Sequence, residues 1–339
     1  MIITRSPQNK TQTHEHPEEP PSVHISRKLF VDSLRKKTVE YLERYKQRPD
    51  YLIFIRWICT QKLLDFTNKD PLIPYNKDDN ESLYQEISKL RGLQSDYKEL
   101  LEKLFLLIQG FHIRDIRGEL SVNLENDVYT LNYGSIFFNL SVSSYDKLRG
   151  LHQKEYPGEP EKMDMRIYNL LCRYEALSAP GYHASIPEQL SKTLRERLGV
   201  THQLFASPFN CDSNLGYTSA YPDTDKYFGS KGNFFEKYPE LFAKGGSFEA
   251  NPPFMEEYLA ALSIIILKTM KSENPFSFVV VYPCWTDAIG YTLLKESEFN
   301  VLPKIVPEKS LEFLSGKHMY TQSSQYWSKG VDRPSNSNS

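Results

Sequence analysis

Apolar residues in the first half of the chain recur at helical spacing. This spacing predicts amphipathic helices over 29–47, 51–66 and 83–104, with Gly110 closing the third. Between 120 and 140 the residues alternate and are often β-branched or aromatic, which predicts a hairpin with its turn at 125–127. Helices follow over 163–177 and 187–198, and Gly199 ends the second. The first half is therefore predicted to be a helical layer with one hairpin.

The pattern changes after Gly199, where short apolar runs alternate with loops. It predicts strands over 203–209, 246–250 and 276–283, with a helix over 255–270 between the last two. Such alternation indicates an α/β fold with a parallel, doubly wound sheet covered by helices. Ligands of these sheets bind at the carboxyl ends of the strands. Chemistry is therefore expected where these strands end.

Composition excludes several classes of protein. The formal net charge is -2, whereas proteins that coat nucleic acid by charge alone carry a clear basic excess. Basic residues do outnumber acidic ones between Arg27 and Lys69, which predicts either a stripe for RNA phosphates or a solvated helix face. The four cysteines form no Cys-x-x-Cys pair, so neither a metal site nor a disulfide framework is predicted. Without a secretory or membrane-spanning segment, we expect a soluble intracellular protein.

The tetrapeptide Asn251-Pro252-Pro253-Phe254 lies between a predicted strand and a predicted helix. An exocyclic aromatic amine is a poor nucleophile because its lone pair is delocalised into the ring. The Asn251 side-chain oxygen and the Pro252 carbonyl can each accept one amine hydrogen and so direct the lone pair toward a methyl donor. Phe254 offers a stacking face for the base. These four residues are the predicted catalytic motif.

Two features of this motif leave alternatives open. A double proline can simply end a strand, and Asn251 can cap the helix that follows. The motif class, Asp or Asn followed by Pro-Pro and an aromatic, also serves methylation of cytosine N4 and of protein glutamine. The motif thus predicts the chemistry more sharply than the substrate.

Three blocks around the motif resemble one family, the phosphorylated-CTD-interacting-factor family of cap-specific adenosine N6-methyltransferases. The blocks are Phe205-Ala-Ser-Pro-Phe-Asn-Cys211, Tyr221-Pro-Asp-Thr-Asp225 with Tyr227-Phe-Gly-Ser230, and Gly246-Ser-Phe-Glu-Ala250 running into the motif. The resemblance is strong over about 165–305, weaker in the helical region before it, and absent from the first 25 residues. It implies a Rossmann-like class I methyltransferase sheet behind an N-terminal helical domain. The implied division is a disordered tail over 1–25, a helical domain with a hairpin over 26–180, a methyltransferase domain over 181–328 and a disordered tail over 329–339.

The resemblance also implies S-adenosyl-L-methionine as cofactor and assigns candidate residues. Those for the cofactor are Phe205, Ser207, Pro208 and Asn210, then Asp223 or Asp225 for the ribose hydroxyls, and Glu249 near the motif. The two aspartates equally suit an ordinary turn. Glu249 shares a strand face with Asn251, and a structural carboxylate is its alternative role.

The implied acceptor is 2′-O-methyladenosine as the first transcribed nucleotide beside a 7-methylguanosine cap, so capped RNA is the expected partner. Trp285 is a stacking candidate or a core residue, and Lys226 and Lys231 are candidates for triphosphate oxygens. No Trp-and-Pro pattern of a WW module is visible, so polymerase-tail binding is not implied. The family resemblance implies the nucleus, with the cytoplasm as the alternative. The rival functions are N6-adenine methylation at internal RNA or DNA sites, and an inactive homologue that binds capped RNA or a protein partner.

Overall fold

The computed structural model describes residues 18–44, 57–59, 70–73, 97–177, 185–301, 313–314 and 326–327. Two helices open the helical layer, α1 over Pro21–Arg44 and α2 over Tyr97–Gln109. Helix α2 ends just before Gly110, as predicted. The predicted helix over 51–66 is helical at its three described residues, 57–59, and most of the one over 83–104 lies outside the described residues.

The start of α1 corrects one expectation. The disordered tail was predicted to reach residue 25, but the helix begins at Pro21 and buries Val23 and Ile25. The prediction is wrong for 21–25 because these two apolar side chains pack into the core of the helical layer. Residues 1–17 of the predicted tail lie outside the described residues.

The predicted hairpin is part of an antiparallel meander of three strands. The strands are β1 over Leu120–Glu125, β2 over Val128–Tyr133 and β3 over Ile136–Ser141. Asn126 and Asp127 join the first two with φ of 49° and 61°, the left-handed values that a two-residue hairpin turn requires. The second turn at Gly134, with φ of 62°, was not predicted.

Three helices connect the meander to the parallel sheet: α3 over Val142–Glu155, α4 over Met163–Ala176 and α5 over Glu188–Leu198. The Ser141 hydroxyl caps α3 by accepting from the Ser144 amide, as an N-cap serine does. Gly199 ends α5 in the left-handed conformation with φ of 64°, which confirms its predicted role. Helix α4 is buried along most of its length, because it packs against α1, the meander and the segment after β5.

The parallel sheet contains β4 over His202–Ala206, β5 over Gly216–Ser219, β6 over Gly246–Ala250 and β7 over Phe276–Val280. The spatial order is β5-β4-β6-β7, and neighbouring strands run parallel. The chain leaves β4 toward β5 and later returns to the other side of β4 as β6. This reversal places a topological switch point between β4 and β6, where such sheets bind ligands. The fold is Rossmann-like, as predicted.

The remaining elements are short segments and helices that follow the first two strands of this sheet and continue to the end of the described chain. They are α6 over Pro222–Asp225, a 3-10 turn over Lys226–Phe228, α7 over Phe234–Leu241, α8 over Glu256–Met270, α9 over Ile289–Lys295, and the short antiparallel pair β8 (Phe313–Leu314) and β9 (Tyr326–Trp327). Within the described ranges no helix is long and apolar enough to cross a membrane.

The hydrophobic core is shared between the helical layer and the parallel sheet. One buried cluster joins Leu148 and Ile167 of the helices to Phe209, Tyr217 and Phe228 of the sheet region. A second cluster, with Leu204 and Phe248, packs under α7 and α8. Side chains of the helical layer therefore pack directly against the segments that follow β4 and β5.

Candidate active site

A cavity opens at the carboxyl ends of β4, β5 and β6. The space that it encloses, including the open solvent at its mouth, measures about 1010 Å³. Its wall is aromatic and neutral, and no charged side chain of the described residues contributes to it. The lining residues are Cys59, Tyr174, Leu177, Leu204, Phe205, Ala206, Ser207, Asn210, Ser219, Ala220, Tyr221, Asn233, Phe234, Phe235, Asn251, Pro252, Pro253, Phe254 and Tyr258.

The structure brings all four motif residues to this wall. They form the loop between β6, which ends at Ala250, and α8, which begins at Glu256. The Val281 amide donates to the Ala250 carbonyl at 2.9 Å, and the Met255 amide donates to the Pro253 carbonyl at 2.7 Å. Met255 is the N-cap of α8, so Asn251 does not cap that helix. The helix-cap alternative for Asn251 is thereby excluded.

The loop after β4 supplies a second part of the wall. Its turn is closed by Asn210, whose side-chain oxygen accepts from the Ser207 amide at 2.6 Å and from the Ser207 hydroxyl at 2.9 Å. The Cys211 amide donates to the Ser207 carbonyl at 2.9 Å. Phe205, Ser207 and Asn210 line the cavity, whereas Pro208 does not. Since the Asn210 oxygen is engaged inside the loop, its amide group is the part suited to a ligand.

Asp223 and Asp225, the ribose candidates, lie off the cavity wall. Arg173 of α4 donates two hydrogen bonds to Asp223, from Nη1 to Oδ1 at 2.9 Å and from Nη2 to Oδ2 at 2.7 Å. Asp225 is fully buried and accepts from the Tyr174 hydroxyl at 2.7 Å. Burial raises the pKa of Asp225 to about 6, while hydrogen bonds from Ser219, Tyr174 and Thr224 oppose that shift. Both carboxylates thus attach the loop after β5 to the helical layer.

Glu249 is buried beneath the motif and also misses the cavity wall. Its Oε2 accepts from Gln203 Nε2 at 3.3 Å, across the registered pair of β4 and β6. Its Oε1 has no hydrogen-bond partner in the part of the chain that the structure describes. Burial raises the pKa of Glu249 to about 7, with the Gln203 bond opposing the shift. The carboxyl therefore keeps its proton to a higher pH than an exposed glutamate does.

The three substrate candidates also lie outside the cavity wall. Trp285 is half-buried in the loop after β7, and Lys231 is exposed after the 3-10 turn. The Lys226 ammonium lies 5.1 Å from the centre of the Tyr227 ring. The structure gathers none of these three at the motif.

Sequence reasoning missed an aromatic wall opposite the motif loop. Phe234 and Phe235 of α7 and Tyr258 of α8 line the cavity, and the Phe235 and Tyr258 rings meet edge to face at 5.5 Å. Asn233 caps α7 by accepting from the Phe235 amide at 2.9 Å. An Asn followed by two phenylalanines is a readable helix start, and Tyr258 stands four residues after Phe254, so a signal for this wall was present.

The described residues include no group of three or more His, Cys, Asp or Glu side chains able to hold a metal ion. The residues that line the cavity offer amide and carbonyl acceptors, hydroxyls and aromatic faces.

Comparison with known proteins gives consistent matches. A family model described as the phosphorylated CTD interacting factor 1 WW domain matches residues 145–316, a stretch that includes the parallel sheet and the motif loop. A mouse protein (Mus musculus) named mRNA (2'-O-methyladenosine-N(6)-)-methyltransferase is 32% identical over 221 residues. A human protein (Homo sapiens) of the same name is 31% identical over 221 residues.

Each match covers 62% of this chain but only 31% of the relative's own length. The family model covers more than half of the chain, and it includes all three sequence blocks together with the motif. With β4, β5 and β6 ending at one cavity, this match establishes that the chain belongs to the phosphorylated CTD interacting factor 1 family.

Proposed function

We propose that this protein is an S-adenosylmethionine-dependent methyltransferase that acts on adenosine N6 beside an RNA 5′ cap. The observation that carries the proposal is the position of Asn251-Pro252-Pro253-Phe254 on the wall of the strand-end cavity. The names of the mouse and human relatives support this choice of acceptor. The match spans only 31% of the length of those relatives, so the activity has to be measured on this chain itself.

The motif loop supplies the groups that an aromatic amine requires. The Asn251 side-chain oxygen and the Pro252 carbonyl accept the two N6 hydrogens, so the nitrogen lone pair is aimed along one direction. Pro252 and Pro253 restrict the backbone and keep this carbonyl aimed. Phe254 and the edge-to-face pair of Phe235 and Tyr258 provide apolar faces for the base.

The cavity also suits a methyl donor with a nucleoside. S-adenosylmethionine supplies an electrophilic methyl group when bound. The loop Ser207–Asn210 and the end of β5 at Ser219 and Ala220 are the surfaces that would hold it. Aromatic side chains on the wall attract a positively charged sulfonium group, and the neutral wall places no competing cation beside it.

Cap dependence follows from the limits of a single base pocket. A pocket that reads only an adenine edge treats internal adenosines in the same way as the first nucleotide, because all present the same donors and acceptors. A second contact, to the positively charged 7-methylguanine, supplies the missing selectivity through aromatic faces. The short triphosphate link makes this second contact effectively intramolecular.

The decisive experiment gives the full chain radiolabelled S-adenosylmethionine and four RNAs of one sequence. The RNAs begin with cap-2′-O-methyladenosine, cap-adenosine, a 5′ triphosphate adenosine, or cap-guanosine, and methylation is followed by nucleoside analysis. We expect N6-methyl product chiefly on the first two RNAs. Free cap analogue is expected to inhibit.

Each other outcome selects another function. Equal rates on capped and triphosphate RNA indicate an N6-adenine methyltransferase of internal sites. Absence of product together with absence of cofactor binding indicates a homologue that only binds RNA or a protein. Nuclear localisation, which the family resemblance implies, is tested by imaging the tagged chain in cells.

A further inference from the structure

Two cavity loops are attached to helices outside the parallel sheet. The loop 207–211 follows β4, and the short loop 220–221 follows β5. Both contribute to the cavity wall on the side proposed for the cofactor. Because neither loop belongs to a strand or to a long helix, other contacts must set its shape.

Lys147 of α3 holds the first loop. Its ammonium donates to the Phe209 carbonyl at 2.9 Å and to the Cys211 carbonyl at 2.6 Å. These carbonyls lie on either side of Asn210, whose side chain closes the turn onto Ser207. A charged donor with two acceptors makes strong hydrogen bonds, so Lys147 fixes the backbone on both sides of a cavity residue.

Helix α4 holds the second loop through two consecutive residues. Arg173 makes its paired bonds to Asp223, and Tyr174 donates to Asp225. Asp223 and Asp225 lie two and four residues after Tyr221, which lines the cavity. The aromatic edge of Tyr174 also packs on the Tyr221 ring with centroids 5.2 Å apart. Helix α4 therefore fixes the segment 221–225, which begins at the cavity wall.

We propose that Lys147, Arg173 and Tyr174 are positioning residues of the cofactor site, so that the helical layer sets the binding shape of both cavity loops. The inference rests on the proposed function insofar as it names S-adenosylmethionine as the ligand. Lys147 is the residue that tests it best. It is only half-buried, and its two described hydrogen bonds both go to one loop, so its replacement should spare the core.

The experiment compares full-chain Lys147→Met and Lys147→Arg with wild type, and uses Lys154→Met on the exposed side of α3 as the matched control. Calorimetry with S-adenosylhomocysteine measures affinity, and hydrogen exchange measures protection of the Asn210, Cys211 and Asp212 amides. We expect Lys147→Met to weaken binding about tenfold, a difference of about 1.4 kcal/mol. It should also speed exchange of these three amides while the protection of β4 is kept. Lys147→Arg should recover most of both properties, and Lys154→Met should match wild type.

The readouts separate this inference from the proposed function. If wild type binds no S-adenosylhomocysteine, the proposed cofactor is wrong, and loop exchange alone then decides whether Lys147 positions the loop. If Lys147→Met binds as tightly as wild type and its loop amides stay protected, the positioning role is overturned. An equal loss in Lys147→Met and Lys154→Met also overturns it, because that loss would report general destabilisation of α3.

Discussion

Two segments that follow strands of the same parallel sheet carry short polar side chains, Asn in one and Asp in the other, and direct them to different surroundings. The motif loop after β6 carries Asn251 on the cavity wall. The loop after β5 carries Asp223 and Asp225, and it turns both carboxyl groups away from the cavity toward α4. Asn251 was selected from the sequence because it ends a predicted strand, whereas the two aspartates were selected from the family resemblance, and only Asn251 lies at the cavity.

The difference follows from the cost of burying charge. A buried carboxylate is stable only when it is paired or hydrogen-bonded, and α4 offers a buried arginine and a buried tyrosine hydroxyl. A neutral amide costs less than a carboxylate to place at an apolar wall, so Asn251 is tolerated at the cavity. Hydrogen-bonding partners in the helical layer therefore decide where these side chains point: the two aspartates turn toward α4, and Asn251 stays at the cavity.

The largest expected effect comes from Asp223→Asn, which removes the charge that neutralises Arg173. Arg173 is only 1% exposed, so the variant leaves an uncompensated buried cation. Breaking such a pair costs about 3–5 kcal/mol, and urea denaturation should show a loss of this size in the free energy of unfolding. Asp146→Asn, at an exposed position of α3, is the control and should leave stability nearly unchanged.

This variant also tests the alternative role of Asp223. A ribose acceptor would show normal stability and weaker cofactor binding when changed to Asn. That result would place Asp223 with Asn251 as a ligand-contacting residue and remove the contrast between the two loops.

Asn251→Ala should affect turnover instead of stability. The lost oxygen acts mainly as the amine becomes nucleophilic, so we expect turnover to fall about a hundredfold or more, equivalent to about 2.7 kcal/mol in the barrier. Affinity for S-adenosylhomocysteine and the melting temperature should stay near wild type. Single-turnover methylation of capped RNA provides the measurement, and Asn123→Ala on the exposed face of β1 is the matched control. Unchanged turnover would remove the motif from the chemistry.

Sequence was informative wherever the relevant interactions were local. The motif loop was predicted correctly because an apolar run, Gly246 to Ala250, leads into two prolines that cannot continue a strand or sit inside a helix. Gly199 was predicted to end α5 because few residues other than glycine readily adopt its left-handed backbone. The roles of the motif residues remain predictions until the variants are measured.

Sequence was uninformative where the partner residue is distant. Strand β5 is short and polar, and it was missed. It pairs closely with β4 at Gly216, where a side-chain carbon would stand 2.1 Å from the His202 ring. The contact between Arg173 and Asp223 spans 50 residues, so no local pattern marks it. The orientation of Asp223 and Asp225 could therefore be read only from the packed structure.

The smallest expected effect concerns Glu249, which lies under the motif loop but off the cavity wall. Burial raises its folded-state pKa to about 7 from an ordinary value of 4.5. The folded protein thus holds a proton that the unfolded chain releases, and the resulting stabilisation is full below about pH 4.5 and is lost as pH rises through 7.

Glu249→Gln removes this pH dependence, while its amide oxygen can still accept from Gln203. We expect the variant to gain about 1–3 kcal/mol relative to wild type between about pH 5 and pH 8, measured by urea denaturation at both values. Asp225, whose pKa is raised, and His24, His152 and His202, whose pKa values are lowered by burial, act in the same way in both proteins. The difference between the variant and wild type therefore reports the titration of Glu249. Glu257→Gln, exposed on α8, should show the same change in the free energy of unfolding with pH as wild type. A constant difference between Glu249→Gln and wild type at both pH values would mean that Glu249 stays ionised in the fold, and a partner outside the described residues would then be needed to neutralise it.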